Sequence, residues 1–526
     1  MRDRRMIAST VVVVMVGMVV VVGMAGGCLG LLPAYPEGEK VGVVATGRAS
    51  GERLTRVADA EWGGRNGSMP SVVVAVNASS ERQTLAGFGG AITDSVAYLW
   101  AKAEGAVQKE LVEAFFSPEI GLNFTQVRLT IGSCDFSVGT YSYAETPDDW
   151  DLAHFSIAHD EEAIIPLVHA VMGVGGKDAM RFFACPWSPP GWMKRNGKMR
   201  NSKWPGLIQE TRVFETYASY LSKYLSAYAA AGIPIYAISI QNEPHVAGQF
   251  LVTYECCGYS HADEASFLVS YLGPVLAREH PEVNIIVFDD QRVGNHNGLN
   301  MSDWVDAFMS ASGVEAYADK LILGFHWYGG LGSLDDYEEI EVVASKYPGL
   351  RLHATEATLE AAWKQLGEDK VWQQAFLYAM DIGRDLAAGT EAYIHWNLWL
   401  DPEGGPEHSL GPCDAPILLH DSGPIKQLSY YVIGHFSKYL PVGSTMVDVD
   451  ITTVSSSDGS NPPAEEGVVA VAAVPPGGEG IVVVVANLSP EYDTPTTVLL
   501  RDVEGDRELS LSIPGQSLRT LFFRRG

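Results

Sequence analysis

Phe214-Glu-Thr-Tyr-Ala-Ser-Tyr-Leu-Ser-Lys-Tyr-Leu-Ser-Ala-Tyr-Ala-Ala230, followed by Tyr236-Ala-Ile-Ser-Ile240 and Gln241-Asn242-Glu243-Pro244, is the stretch that decides the fold. Its first part repeats apolar and aromatic residues at three- and four-residue steps, which predicts an amphipathic helix. Its second part is a short apolar run, which predicts a buried strand. The unit recurs along the chain. Strand-like runs stand at Gly87–Asp94, Thr125–Ile131, Met180–Cys185, Tyr236–Ile240, Asn284–Phe288, Leu321–Phe325, Leu350–Ala354 and Glu391–His395, with helical stretches between them. Eight such alternations predict an α/β chain closed into a parallel (β/α)8 TIM barrel over residues 83–435.

Outside the barrel the pattern changes. Thr445–Ile451, Gly467–Val474, Gly480–Ala486, Thr496–Leu500 and Leu509–Ile513 are short β-rich runs separated by turn residues. They predict an all-β sandwich over 436–526, joined by a strand from 66–82 around Ser71-Val-Val-Val-Ala-Val76. Residues 28–65, Gly-rich with scattered charge, read as a linker or stalk.

Ahead of that stalk, Arg2, Arg4 and Arg5 precede an apolar run from Met6 to Met24 and then small residues before Cys28. Residues 1–27 therefore read as a signal peptide or an uncleaved signal anchor, and either delivers the remainder outside the cytosol. The expected destination is the secretory pathway, then the lysosome, a vacuole or the extracellular space, with a membrane tether if the anchor is kept. Sixty-four acidic against 36 basic residues give −28 at pH 7, a surface that repels nucleic acid. Six cysteines in 526 residues do not make a disulfide scaffold, and no zinc-binding spacing occurs, so neither metal nor organic cofactor is expected. Sequons at Asn66, Asn77, Asn300 and Asn487 are candidate glycan sites.

Barrel enzymes gather their chemistry at the C-terminal ends of strands. The fourth strand ends in Gln241-Asn242-Glu243-Pro244 and the seventh in Thr355-Glu356-Ala357, so each places one carboxylate at the mouth. Two carboxylates meeting there are what glycosidic cleavage requires: one protonates the leaving oxygen while the other attacks the anomeric carbon. A lone glutamate after a strand is more often a cap, so the pair carries the signal. Asp289-Asp290 also follows a strand. Adjacent residues on an extended chain point to opposite faces, so at most one would reach the cleft, and neither is expected to act.

Several longer motifs resemble glycoside hydrolase family 30, in particular its glucosylceramidases, the acid β-glucosidases. They are Gly87-Phe-Gly-Gly-Ala-Ile-Thr-Asp94, Ser133-Cys-Asp-Phe-Ser137, Pro186-Trp-Ser-Pro-Pro-Gly-Trp192, Trp396-Asn-Leu-Trp-Leu-Asp-Pro-Glu-Gly-Gly-Pro406 and Gly434-His-Phe-Ser-Lys-Tyr-Leu-Pro441. The resemblance runs from about Gln83 to Phe523 and implies Glu243 as acid/base and Glu356 as nucleophile. It implies that Asp135, Trp187, Asn242 and Trp396 contact glucose, the Trp rings offering apolar faces to the sugar. Arg128 matches an arginine that either favours the ionised nucleophile or serves as structural glue for a carboxylate. Tyr328 is expected to reach the nucleophile, and His326 either supports the site or is simply a satisfied buried histidine.

The implied function is a retaining β-glycosidase that cleaves glucosylceramide at a membrane surface, with any activator protein unknown. The alternatives are a related β-glycosidase for steryl glucosides or β-linked oligosaccharides, and a non-catalytic carbohydrate- or lipid-binding barrel. The loops from Gly329 to Tyr347 and after Pro406 depart from the family pattern, and Thr358 replaces the cysteine that animal members carry.

Overall fold

The computed structural model describes residues 34–525 apart from 65–68, 203, 247–251, 295–297, 329–334, 360–366, 409–410, 455–466 and 494. The N-terminal apolar segment and Asn66 lie outside the described residues. Among the described residues no helix is long and apolar enough to cross a membrane.

Eight parallel strands close into a barrel in chain order: Gly87–Ile92, Gln126–Ile131, Arg181–Pro186, Ile235–Ser239, Asn284–Gln291, Leu321–His326, Arg351–Glu356 and Ala392–Asn397. Nearly every strand residue is buried, because side chains pointing inward fill the barrel and those pointing outward meet helices. Phe183, Ala237, Ile286, Ile322 and Ile394 form an inner layer of that filling. Thr211–Ala230 is the helix expected from the aromatic spacing, and it buries Tyr217, Tyr220, Tyr224 and Tyr228 against the barrel wall.

Toward the mouth the ladder is interrupted three times. Asp289 has no partner on the sixth strand, Thr355 none on the sixth, and Trp396 none on the first. Each is the extra residue of a β-bulge, a device that re-aims a side chain where plain alternation would send it elsewhere. Gly324 makes room for one of them, since a Cβ there would lie 3.0 Å from the Asp289 carboxylate.

The all-β unit is one hydrogen-bonded sheet of ten strands rather than two separate sheets, nine of them in a single path and Ala60–Glu61 paired beside it on Lys40–Gly47. Val41, Val74, Val483, Leu500, Ile513 and Phe523, drawn from strands along that whole path, share one apolar core. Gly63 N–H donates to Glu508 O at 2.8 Å, so the two far regions of the sheet meet as it curls over itself. Its outward residues, among them Val469, Val471, Val482 and Val484, pack into the barrel's core. With both faces covered, the runs Val468–Val474 and Gly480–Asn487 are apolar without alternation.

Within the stretch expected to be a stalk, residues 34–64 carry strands that join the sheet. Lys40–Gly47 is a buried strand antiparallel to Ser517–Arg524, the last strand of the chain and one that the sequence pattern did not reveal. A local pattern cannot show a partner at the opposite chain end, and the nearby strands that Lys40–Gly47 also pairs with, Thr55–Arg56 and Ala60–Glu61, are only two residues each. The joint to the barrel is similarly close. His435, on the helix Leu428–Ser437, reaches the hydroxyl oxygens of Thr46 at 2.8 Å and Thr520 at 2.7 Å, and burial lowers its pKa to about 3. The Asn487 amide donates to Thr496 Oγ1 and Ile513 O inside the sheet, so that sequon is occupied by the fold itself.

Candidate active site

The chain leaving the fourth strand keeps pairing for several residues. Asn242 N–H donates to Pro186 O and Glu243 N–H to Asp289 O, each at 2.9 Å. These bonds hold Glu243 at φ 43°, a left-handed conformation rare for a residue with a side chain, over the centre of the barrel. Glu356 ends the seventh strand, and its carboxylate accepts from Tyr328 Oη at 2.9 Å and from Arg128 Nη1. One oxygen of Glu243, one of Glu356 and one ring nitrogen of His326 lie within 4.8 Å of one another.

Arg128 is fully buried in the second strand and ties the floor of the site together. Besides Glu356, its guanidinium reaches Asn242 Oδ1 at 2.8 Å and Asp289 Oδ2 at 3.2 Å. An arginine has only donors, so Asn242 must turn its oxygen to Arg128, which leaves the amide N–H groups for a ligand. His326 bridges the two halves, with Nδ1 3.2 Å from Glu243 Oε1 and Nε2 3.3 Å from Asp289 Oδ1. With a hydrogen on each ring nitrogen, His326 donates to both carboxyl groups at once.

Electrostatics separate the carboxylates. Burial pushes the Glu243 carboxyl above its usual range; His326 pulls it down, and the charge of Glu356 adds to the rise. Burial works against a charged His326, yet Glu356, Asp289 and Glu243 outweigh it and raise its pKa to about 10. Burial would raise Asp289 too, but Arg128 and His326 hold it well below the carboxylate range. Arg128 and His326 thus stand against Asp289 and Glu356, and Glu243 is the carboxyl that holds its proton more tightly than usual.

Asp135, Trp187 and Trp396 line one side. Asp135 Oδ1 is buried without a hydrogen-bond partner among the described residues, an acceptor aimed at nothing in the protein. The two Trp rings stack on each other at 5.2 Å and lie under the Arg128 guanidinium. Each is only 2 % exposed, the face of one ring covering that of the other.

Two residues were not foreseen. Asp289 enters the site from the bulge while Asp290 turns away to His245 Nδ1 at 2.8 Å, so one of the pair reaches the cleft, as alternation allowed, although neither was singled out. The only signal was its place at a strand end. Tyr254 donates to Glu243 Oε2 at 2.9 Å, from a loop with no motif to mark it. Glu243, His326 and Glu356 are also the residues with spacing to hold a cation. A divalent ion there would face the fixed guanidinium of Arg128, and both His326 nitrogens already meet carboxylates, so the donor set does not fit a metal.

A family model for the glycosyl hydrolase family 30 TIM-barrel domain matches residues 85–440. The chain belongs to glycoside hydrolase family 30. Lysosomal acid glucosylceramidase of Mus musculus is 31 % identical over 461 residues, covering 84 % of this chain and 82 % of the mouse protein. An endo-1,6-beta-D-glucanase of Neurospora crassa is 27 % identical over 420 residues, 78 % of this chain and 80 % of its own length. Among solved structures, SrfJ from Salmonella typhimurium superposes with a TM-score of 0.79 at 27 % identity, covering 93 % of this chain and all of SrfJ. Both the family's barrel and the sheet outside residues 85–440 thus have counterparts in a relative.

Proposed function

We propose that this family 30 member is a retaining β-glucosidase acting on glucosylceramide. The observation that carries the mechanism is the separation of Glu243 and Glu356, whose nearest oxygens lie within 4.8 Å. Retaining glycosidases hold their two carboxyls about 5–5.5 Å apart, whereas inverting ones need roughly 6.5–9.5 Å for an intervening water. Glu356, oriented by Arg128 and Tyr328, attacks the anomeric carbon. Glu243, whose proton is retained by burial, gives it to the leaving oxygen. The glycosyl ester on Glu356 is then hydrolysed by a water that Glu243 deprotonates. The free amide hydrogens of Asn242 and the unpartnered oxygen of Asp135 suit sugar hydroxyls beside that centre.

The substrate rests on likeness to the mouse glucosylceramidase over most of both chains. A glycolipid substrate would be met at a membrane surface, in keeping with an N-terminal segment that exports the chain to the lysosome, a vacuole or the cell exterior. The likeness to the Neurospora crassa glucanase favours a second reading, cleavage of β-1,6-glucan. Purified protein offered glucosylceramide in detergent micelles, a steryl glucoside, cellobiose and β-1,6-glucan separates them. Turnover of the glucan without release of ceramide overturns the substrate. Full activity of Glu356→Gln on a fluorogenic β-glucoside overturns the mechanism, and no turnover of any of these glycosides by the unaltered protein leaves the binding-barrel alternative.

A further inference from the structure

The two oxygens of Glu243 have different neighbours. Oε1 faces His326 Nδ1, which remains a proton donor because the histidine's pKa stands near 10. The proton that Glu243 gives up must therefore sit on Oε2, the oxygen that Tyr254 Oη approaches at 2.9 Å.

That phenol is held in place from both directions. Its ring packs with Val246, Val252 and Cys256, and also against the group containing Trp187 and Trp396. The next residue, Glu255, is wholly buried and accepts from Ser133 Oγ at 3.0 Å, with His408 Nε2 at 2.9 Å on its other oxygen. Lys194 Nζ donates to Cys256 O, and Cys256 N–H to Met199 O. A loop residue secured this way loses little freedom when its hydroxyl engages Glu243.

We propose that Tyr254 is a positioning residue that sets the acid strength of Glu243, by donating to the carboxylate left when that group protonates the departing oxygen. The inference rests on the glycosidase assignment above. In the first half-reaction the C1–O bond breaks with its electron pair on oxygen, which takes the proton from Glu243 Oε2 while a Glu356 oxygen bonds to C1. Negative charge appears on Oε2, and the Tyr254 hydroxyl, keeping its own proton, strengthens its bond to it. In the second half-reaction the same bond makes Glu243 a weaker base toward water. The phenol thus favours glycosylation and opposes ester hydrolysis.

Tyr254→Phe removes the donor and nothing else of the ring. A hydrogen bond to a charged group corresponds to about tenfold in an equilibrium, so the alkaline limb of kcat/KM moves up by about one pH unit. The value of kcat/KM falls about tenfold for an alkyl β-glucoside, whose leaving group needs the proton, and little for a 2,4-dinitrophenyl β-glucoside, which does not. Placing 3-fluorotyrosine at position 254, an isosteric and stronger donor, moves the limb the other way and keeps the test open if the Phe variant folds poorly. Equal losses on both substrates with an unmoved limb overturn the inference. Glu356→Gln, inactive on both if the glycosidase assignment holds, distinguishes that failure from a failure of the assignment itself.

Discussion

Replacing Asp289 by asparagine removes one charge and turns one acceptor oxygen into a donor. The aspartate accepts from Arg128 and Cys185 on Oδ2, at 3.2 and 3.0 Å, and from Thr355 and His326 on Oδ1, at 2.6 and 3.3 Å. An amide can serve only one of these sides as acceptor. Arg128 cannot lose its proton, so the amide oxygen should stay with it and the NH2 should face Thr355 and His326. Thr355 can rotate its hydroxyl toward Phe325 O, 3.2 Å away. His326 has no such escape and must release the Nε2 proton, so its pKa drops from about 10 into the working pH range. Removing one partner of a buried ion network costs about 3–5 kcal/mol. At roughly 2 °C per kcal/mol that lowers Tm by about 6–10 °C. Loss of the His326 anchor also loosens Glu243, and displacements of about 1 Å at a reacting group cost on the order of 100-fold. Thermal unfolding and the pH profile of kcat/KM on a fluorogenic β-glucoside test this. Unchanged Tm, unchanged rate and no new ionisation would refute the role given to the bulged aspartate.

The proton balance predicts that stability falls as pH rises from about 6.5 to 9. Burial raises Glu264 to about 8 from 4.5, and the site's carboxylates raise His326 to about 10 from 6.5 against burial, so the folded chain keeps protons that the unfolded chain has lost. Each such group costs about 1.4 kcal/mol per pH unit within its window. His395 and His435, buried and neutral with pKa values near 3, oppose this only below 6.5, where the unfolded chain would protonate them. A Tm that stays level or climbs between pH 7 and 9 would contradict the balance. Gly42→Ala tests the N-terminal strand: the added Cβ would meet the Phe522 ring at 2.3 Å, so Tm should fall by at least about 1–3 kcal/mol worth, whereas a linker would tolerate it.

The barrel was legible because strands buried on both faces announce themselves as continuous apolar runs, and because their spacing leaves room for one helix each. Glu243 and Glu356 were legible as strand-end residues. Asp289 was not, since alternation allowed one of Asp289 and Asp290 to reach the cleft without saying which, and the bulge that decides it leaves no mark in the sequence. Tyr254 was hidden for another reason: its loop is shaped by Glu255 and Lys194, contacts that no spacing encodes. The strand Lys40–Gly47 was missed because Gly42 faces Phe522, with nearly the whole chain between them.

That last pairing has a consequence for biogenesis. The edge that Lys40–Gly47 presents to Ser517–Arg524 stays unfilled until that second strand has left the ribosome. Everything between the two strands, the entire catalytic barrel included, must be made and kept from aggregating while that seam is open. A stop codon just before Ser517 would leave Val482, Val484 and their neighbours without the strand that borders them. Such a product would retain every reacting group and still be expected to fail quality control.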